Sequence, residues 1–231
     1  MKVVALLNWY EESPSWLAET VASAGKFCDH IIAVDGPYAN FPGALKKPAS
    51  GTEQAETIFH AAAGAGMGCT IHAPRQVWWG NEIEKRAYLM EVGQTITTED
   101  DWFLVIDADE VLTDVPQDSR ALLDAVTCDV AELTLWERDD LDSNTPCRRL
   151  FRALRGITYQ QTHYTITAPS PDGGTKVLNG SETVHRNWEK AADLWNVRME
   201  HRTKFRTDLR VALKNEYYAR IPDFEHPEEI Q

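Results

Sequence analysis

The chain has 231 residues, 43% of them hydrophobic and 26% charged, with a formal net charge of -13. That length suits one domain, or one domain with an appendage, and allows a sizeable core. The acidic balance opposes non-specific binding to nucleic acid, which needs many phosphate-neutralising cations, but leaves room for a nucleotide held by a metal and a few local basic residues.

Val3 to Asn8 reads as a buried strand; its apolar run is too short for a signal-peptide core. Glu12-Ser13-Pro14 is a helix start, with Ser13 as cap and Pro14 at the first helical position, and the helix carries Trp16, Leu17, Thr20, Val21 and Ala24 as far as Gly25. His30 to Gly36 is a second buried strand ending in an acid and a glycine. Pro37 to Pro48 is irregular and contains Tyr38 and Phe41. Thr52 to Ala63 reads as a helix and Cys69 to Ala73 as a short strand. Asn81 to Gln94 is a helix with Ile83, Ala87 and Met90 at helical spacing. Trp102-Phe103-Leu104-Val105-Ile106-Asp107-Ala108-Asp109-Glu110 then gives an apolar run that stops in three carboxylates.

This alternation predicts an α/β fold with a mostly parallel central sheet and helices on both faces. Ligands of such sheets sit beyond the carboxyl ends of the strands, where Asn8, Asp35 and Asp107 all fall. Asp107 and Asp109 stand two apart and point the same way if the extended backbone persists. Two like charges side by side repel unless a cation lies between them, and hard oxygen ligands suit magnesium or manganese.

Further along, Pro116 to Val126 reads as a helix and the alternating Asp129 to Trp136 as a strand. Arg148 to Leu154 and Ile157 to Ile166 suggest further short strands, Ser170 to Gly174 a turn, and Thr183 to His185 another short strand. From Glu189 to about Tyr218, Leu194, Trp195, Met199, Phe205, Leu209, Ala212 and Leu213 recur at helical intervals, which predicts one long helix or two consecutive ones. No apolar run approaches the length of a membrane span, and Cys28, Cys69, Cys128 and Cys147 lack metal-ligand spacing and read as free thiols. A cytoplasmic protein without stable membrane insertion is expected.

Three segments carry a resemblance: Leu6-Leu7-Asn8-Trp9-Tyr10-Glu11-Glu12, Ile32-Ala33-Val34-Asp35-Gly36, and the run from Trp102 to Glu110 with its Asp-Ala-Asp-Glu. Together they resemble glycosyltransferases of the GT-A fold, closest to the small family-2-like bacterial and phage enzymes. The resemblance implies a GT-A domain over residues 1–187, with a nucleotide-sugar half at 1–110 and an acceptor half at 111–187. Residues 188–231 are left as a helical extension that offers a surface for a homodimer. It implies a donor nucleotide sugar, UDP-linked by default, with Mn2+ or Mg2+ held against the diphosphate by Asp107 and Asp109, of which Asp109 is the direct ligand and Asp107 either reaches the metal through water or contacts the ribose. Asn8, Tyr10 and Glu11 would line the nucleoside pocket and Asp35 would touch base or ribose. A late histidine that completes the metal shell in such enzymes falls on His185, beside Arg186. One departure follows Asp35-Gly36: the family continues with small polar residues and another aspartate, whereas this chain gives Pro37-Tyr38-Ala39-Asn40-Phe41-Pro42.

Glycosyl transfer requires charge to be neutralised on the leaving diphosphate and a proton to be taken from the acceptor hydroxyl. Lys85 and Arg86 are candidates for the first task, Arg86 ahead because a guanidinium pairs well with phosphate and carboxylate alike. For the second, the candidates are Glu137, Asp139 and Asp140, with Asp140 slightly preferred. The family's usual His-Glu pair is replaced by His163-Tyr164, which leaves inversion or retention open. Trp79, in Trp78-Trp79-Gly80-Asn81, could stack on a sugar or base. Arg148, Arg149 and Arg152 form a basic patch that either binds phosphate or pairs with nearby carboxylates. The expected acceptor is a glycan, a lipid-linked sugar or a protein. Two alternatives compete: a nucleotidyltransferase, weakened because Asn8 to Glu12 is acidic and aromatic rather than Gly-rich and basic, and a non-catalytic GT-A domain that binds a glycan or protein partner.

Overall fold

Val3–Asn8 is buried at every position, as a strand covered on both faces must be. This strand, β1, opens a chain order of α1 (Pro14–Ala24), β2 (His30–Val34), α2 (Thr52–Gly64), β3 (Gly68–His72), α3 (Glu82–Gln94) and β4 (Trp102–Asp107). There follow β5 (Glu110–Asp114), α4 (Ser119–Asp124), β6 (Val130–Glu137), β7 (Asp140–Arg152), β8 (Thr158–Tyr159), β9 (Ile166–Pro169), β10 (Thr175–Asn179), β11 (Ala191–His201) and α5 (Asp208–Ala219). The structure, a computed structural model, describes residues 1–38, 41–42, 47, 49–73, 81–138, 140–161, 164–180, 189–202 and 208–219.

Local chemistry sets the helix starts. Pro14 opens α1, where its fixed φ costs nothing, while Ser13 makes no side-chain cap bond. Asn81 caps α3 by accepting a hydrogen bond from Glu84 N at 2.9 Å.

The fold is α/β. Its large sheet runs β3-β2-β1-β4-β7-β6-β11-β5, and a small one runs β10-β9-β8. The first four of these strands are parallel neighbours. Beyond β4 the sheet is mixed: β7 is antiparallel to both β4 and β6, β11 is parallel to β6, and β5 is antiparallel to β11. The expectation of a mostly parallel sheet therefore fits the N-terminal half and fails in the second, where three of the four strand pairs are antiparallel. Helices α1, α2 and α4 pack on one face through Leu17, Val21, Ile58, Ala62 and Leu123. On the other face, Leu89 and Met90 of α3 pack alongside Tyr159, Ile166 and Leu178 of the small sheet.

The largest correction concerns Ala191–His201, predicted as helix and found as strand β11 in the main sheet between β6 and β5. Its pairing with β6 shifts register between Asp193 and Arg198. The irregularity puts buried Leu194 and Val197 three apart, a helical interval, before Val197 and Met199 resume the two-residue period of a strand. Residues 191–201 thus belong to the sheet, and of the expected helical extension Asp208–Ala219 is helix. The predicted strand at Thr183 to His185 lies outside the described residues.

Register decides where the polar strand ends meet. Asn8 pairs with Val34 on one side and with Asp107 on the other, so the carboxyl ends of β1, β2 and β4 share one edge. The chain runs outward from β1 through β2 to β3 and then returns to add β4 on the opposite side. That leaves a topological switch point between β1 and β4.

Candidate functional site

A cleft opens at this switch point. It is lined by Asn8, Trp9, Tyr10 and Glu12 after β1, by Gly36, Pro37, Tyr38 and Phe41 after β2, and by Glu82, Lys85 and Arg86 of α3. Asp107, Ala108 and Asp109 line it at the end of β4, and Lys214 and Tyr217 of α5 complete the lining. Six of the predicted site residues therefore meet here: Asn8, Tyr10, Lys85, Arg86, Asp107 and Asp109.

The two aspartates do not continue one extended strand. β4 ends at Asp107 and the chain turns through Ala108 and Asp109 before β5 starts at Glu110. Thr20 Oγ1 donates to Ala108 O at 3.1 Å and Arg202 N to Asp109 O at 2.8 Å, which fixes the turn. The side chains consequently have different neighbours. Asp107 Oδ1 accepts from Arg86 Nη2 at 2.9 Å, and Arg149 Nη1 stands 3.9 Å from Oδ2. Burial alone would raise the Asp107 carboxyl, but Arg86 and Arg149, helped by Lys214, hold it well below the usual carboxylate range. Asp109 is buried and stands 3.6 Å from His201, measured from Oδ2 to Nε2; on the far side of the ring, Nδ1 is 3.9 Å from Glu137 Oε1.

Glu110 supports the turn from below. It is fully buried, accepts from Asp107 N at 2.8 Å and pairs with Arg149. Burial pushes its carboxyl up to about 8, the Asp107 and Asp109 charges adding to the push and Arg149 opposing it. Arg86 is buried too, bonded through Nε to Glu82 Oε1 at 2.9 Å one turn back on α3.

Lys85 is not an open phosphate-binding cation. Its Nζ donates to Trp9 O at 2.7 Å and to Gly36 O at 2.6 Å, tying together the segments that follow β1 and β2. Gly36 has φ 109, a region that favours glycine, and its N–H donates to Asp35 Oδ1 at 2.6 Å. Asp35 also accepts from Ser50 N at 2.8 Å and Ser50 Oγ at 2.6 Å. Both its oxygens thus hold the loop between Gly36 and Ser50, and Asp35 is absent from the cleft lining. Burial pushes the Asp35 carboxyl up against the pull of those bonds and of Lys85.

Glu11 likewise serves that loop. It has φ 51, receives no place in the cleft lining, and pairs with Lys47 at 2.5 Å while its N–H donates to Ser50 Oγ at 2.8 Å. Asn8 is only 9% exposed; its Nδ2 bonds to Tyr38 Oη at 2.8 Å and its Oδ1 has no partner among the described residues. Such an unsatisfied buried acceptor beside a cleft is costly unless a ligand or water meets it.

Of the three carboxylates considered for the acceptor proton, Glu137 comes near the cleft through His201, whereas Asp140 is exposed at the start of β7. Asp139, Trp79, His163, His185 and Arg186 lie outside the described residues. The basic patch pairs with carboxylates: Arg148 with Glu132, Arg149 with Glu110, and Arg152 at 3.9 Å from Asp129 while it stacks on Trp102. All four cysteines are free, as read from their spacing.

His201, Lys214 and Tyr217 were missed by sequence reasoning. His201 ends β11 opposite Glu110 in register, which is what brings it to the acidic turn. The alternation Val197-Met199-His201 was the available signal, hidden by the helical spacing before it. Among the described residues, no group of three or more His, Cys, Asp or Glu side chains is arranged to hold a metal by itself. Among those residues, too, no helix is long and apolar enough to cross a membrane.

No protein-family model and no curated protein matches this chain. Among solved structures, the chain is similar to the mannose-6-phosphate isomerase from Helicobacter pylori at 6% sequence identity and a TM-score of 0.37, over 87% of this chain and 98% of that one. A likeness at that level bears on neither fold family nor activity.

Proposed function

We propose that this chain is a metal-dependent glycosyltransferase of the GT-A type, which moves a sugar from a nucleotide-diphosphate donor, UDP-linked by default, to a hydroxyl of a glycan, lipid-linked or protein acceptor. The observation that carries the reading is the cleft at the switch point, where Asp107, Asp109 and Arg86 share a lining with Asn8 and Tyr10.

Asp109 would hold Mn2+ or Mg2+ through an acid oxygen, and His201, 3.6 Å away, would add an imidazole nitrogen that Mn2+ accepts more readily than Mg2+. When bound, such an ion neutralises charge on the departing diphosphate. Glu137 stands 3.9 Å from the other ring nitrogen, beyond direct hydrogen-bond reach, and in this reading it would steady the imidazole through a water. Arg86 keeps Asp107 ionised and oriented, ready to accept from a ribose hydroxyl. The unpaired Asn8 Oδ1 suits a donor group on the nucleoside. Tyr10, Tyr38 and Phe41 present an aromatic surface for its base, Phe41 lying edge-on to both tyrosines.

The test is hydrolysis of a panel of nucleotide sugars in manganese buffer, with transfer followed for any donor that is turned over. Asp109→Ala is expected to lower the rate by about two orders of magnitude, the loss of several kcal/mol of charge stabilisation, while its unliganded melting temperature stays near that of the parent. An Asp109→Ala protein with full activity would overturn the assignment.

A further inference from the structure

We propose that Arg202 is a positioning residue of the candidate ion site, holding Asp109 and His201 within reach of one cation. The inference rests on the donor reading above and extends it to a residue that acts through its neighbours.

β11 ends at His201, so the ladder that pairs His201 with Glu110 stops at the residue that carries the imidazole. Arg202 continues the hold past that end. Its N–H donates to Asp109 O at 2.8 Å, which ties the acidic turn to the end of β11. Its guanidinium donates through Nε to Glu200 Oε2 at 3.0 Å, with Nη2 2.9 Å from the same oxygen, and through Nη1 to Glu19 of α1. The next position of that helix, Thr20, holds the same turn by donating to Ala108 O at 3.1 Å. Glu200 is buried and also accepts from Arg138 Nη2 at 3.1 Å, in the hairpin that joins β6 to β7. Arg202 thus links the acidic turn, the end of β11, α1 and, through Glu200, the hairpin that carries Glu137.

Stability alone gives a poor reason for this arrangement. The Glu19 side chain is exposed, and pairs of that kind contribute little. A buried carboxylate between two guanidinium groups is often no more stable than well-packed apolar side chains in its place. What such a set supplies is a fixed geometry. The candidate ion site needs one, because its two ligands come from different segments, Asp109 from a turn and His201 from a strand end. A cation bonds to both only while the two stay close, and groups that orient the ligands decide how long they do.

The experiment is manganese binding in the presence of UDP, GDP or dTDP, followed by calorimetry and by pulsed electron paramagnetic resonance, on the parent, Arg202→Gln, Arg202→Lys and His201→Gln. The parent is expected to show imidazole nitrogen coupled to the bound ion, a signal that His201→Gln lacks. Arg202→Gln is expected to weaken manganese about tenfold, as the loss of a group that orients a ligand does, and to lose most of the nitrogen coupling. Arg202→Lys keeps the charge but cannot span Glu19 and Glu200 together, and is expected to weaken manganese about threefold. Affinity and coupling equal to the parent's in Arg202→Gln, or in Arg202→Lys where the first variant does not fold, would overturn the inference and leave the donor reading standing. That holds even if the melting temperature of the ion-free protein falls, since the residue would then serve packing alone. Manganese bound by the parent without nitrogen coupling, or a coupling that persists in His201→Gln, would also overturn the inference, while leaving the ion to Asp109. A parent that binds no manganese with any of the three nucleotides would instead overturn the donor reading and this inference with it.

Discussion

Arg86 is buried between Glu82 and Asp107, and Asp107 also faces Arg149. Each charge is affordable in the core only because the others are present; removing one member of such a set leaves an uncompensated buried charge. Asp101 shows the same dependence at the opposite end of the strands. It accepts from Lys2 N at 2.6 Å, Thr98 N at 2.9 Å and Thr98 Oγ1 at 3.2 Å, and so joins the start of β1 to the start of β4. Burial pushes its carboxyl up, but those bonds outweigh burial and hold it below the usual range. A carboxyl depressed in the folded state stabilises above its unfolded pKa, and that stability is lost as pH falls through the folded value. Asp101→Asn is therefore expected to cost about 2 kcal/mol at neutral pH, with the difference from the parent shrinking as pH drops below about 4. Urea denaturation across pH 3 to 7 checks it; a pH-independent difference would contradict it.

At this scale the sequence made Asn8, Tyr10, Lys85, Arg86, Asp107 and Asp109 legible as neighbours, because polar residues that end buried strands or follow a capped helix start have few places to go. Their individual duties were not legible. Lys85 turns to backbone carbonyls and Asp35 to Ser50 because the loop after β2 has buried polar groups of its own to satisfy. His201 and Lys214 were hidden for another reason: their place depends on the pairing of β11 and the docking of α5, which are long-range events.

Among the elements, β1 to β4 and the helices between them follow from the pattern, since apolar runs alternate there with segments of helical spacing, opened by Pro14 in α1 and by the Asn81 cap in α3. The second half was harder. β5 is separated from β4 by only two residues, inside the acidic run, so it does not register as a separate strand, and the irregular pairing of β11 imitates a helix. The strand makes a prediction that the helical reading does not. Leu194 is buried in the sheet, whereas its neighbour Trp195 is 51% exposed. Leu194→Ala is expected to cost about 3 kcal/mol of stability, and Trp195→Ala less than about 1 kcal/mol, in equilibrium denaturation. Comparable costs at the two positions would argue against the register of β11.

Taken as a whole, the molecule is acidic, and the cleft shares that character, with Lys85, Arg86 and Lys214 beside Glu12, Glu82, Asp107 and Asp109. With a formal net charge of -13, the general field repels a nucleotide diphosphate, so affinity must come from a local reversal of sign at the switch point. An ion held by Asp109 and His201 would provide it in this reading. The same geometry places the candidate site at this edge: β1 and β4 stay paired to Asn8 and Asp107, the connections that leave them part to opposite sides, and the C-terminal strand and helix return there with His201, Lys214 and Tyr217. The most direct measurement is equilibrium binding of nucleoside diphosphates with and without manganese, on the parent and on Asp109→Ala. The account predicts that at least one of them binds the parent about tenfold or more tightly with manganese, and that Asp109→Ala loses this gain. Binding that manganese does not change, or that Asp109→Ala retains in full with manganese, would contradict it.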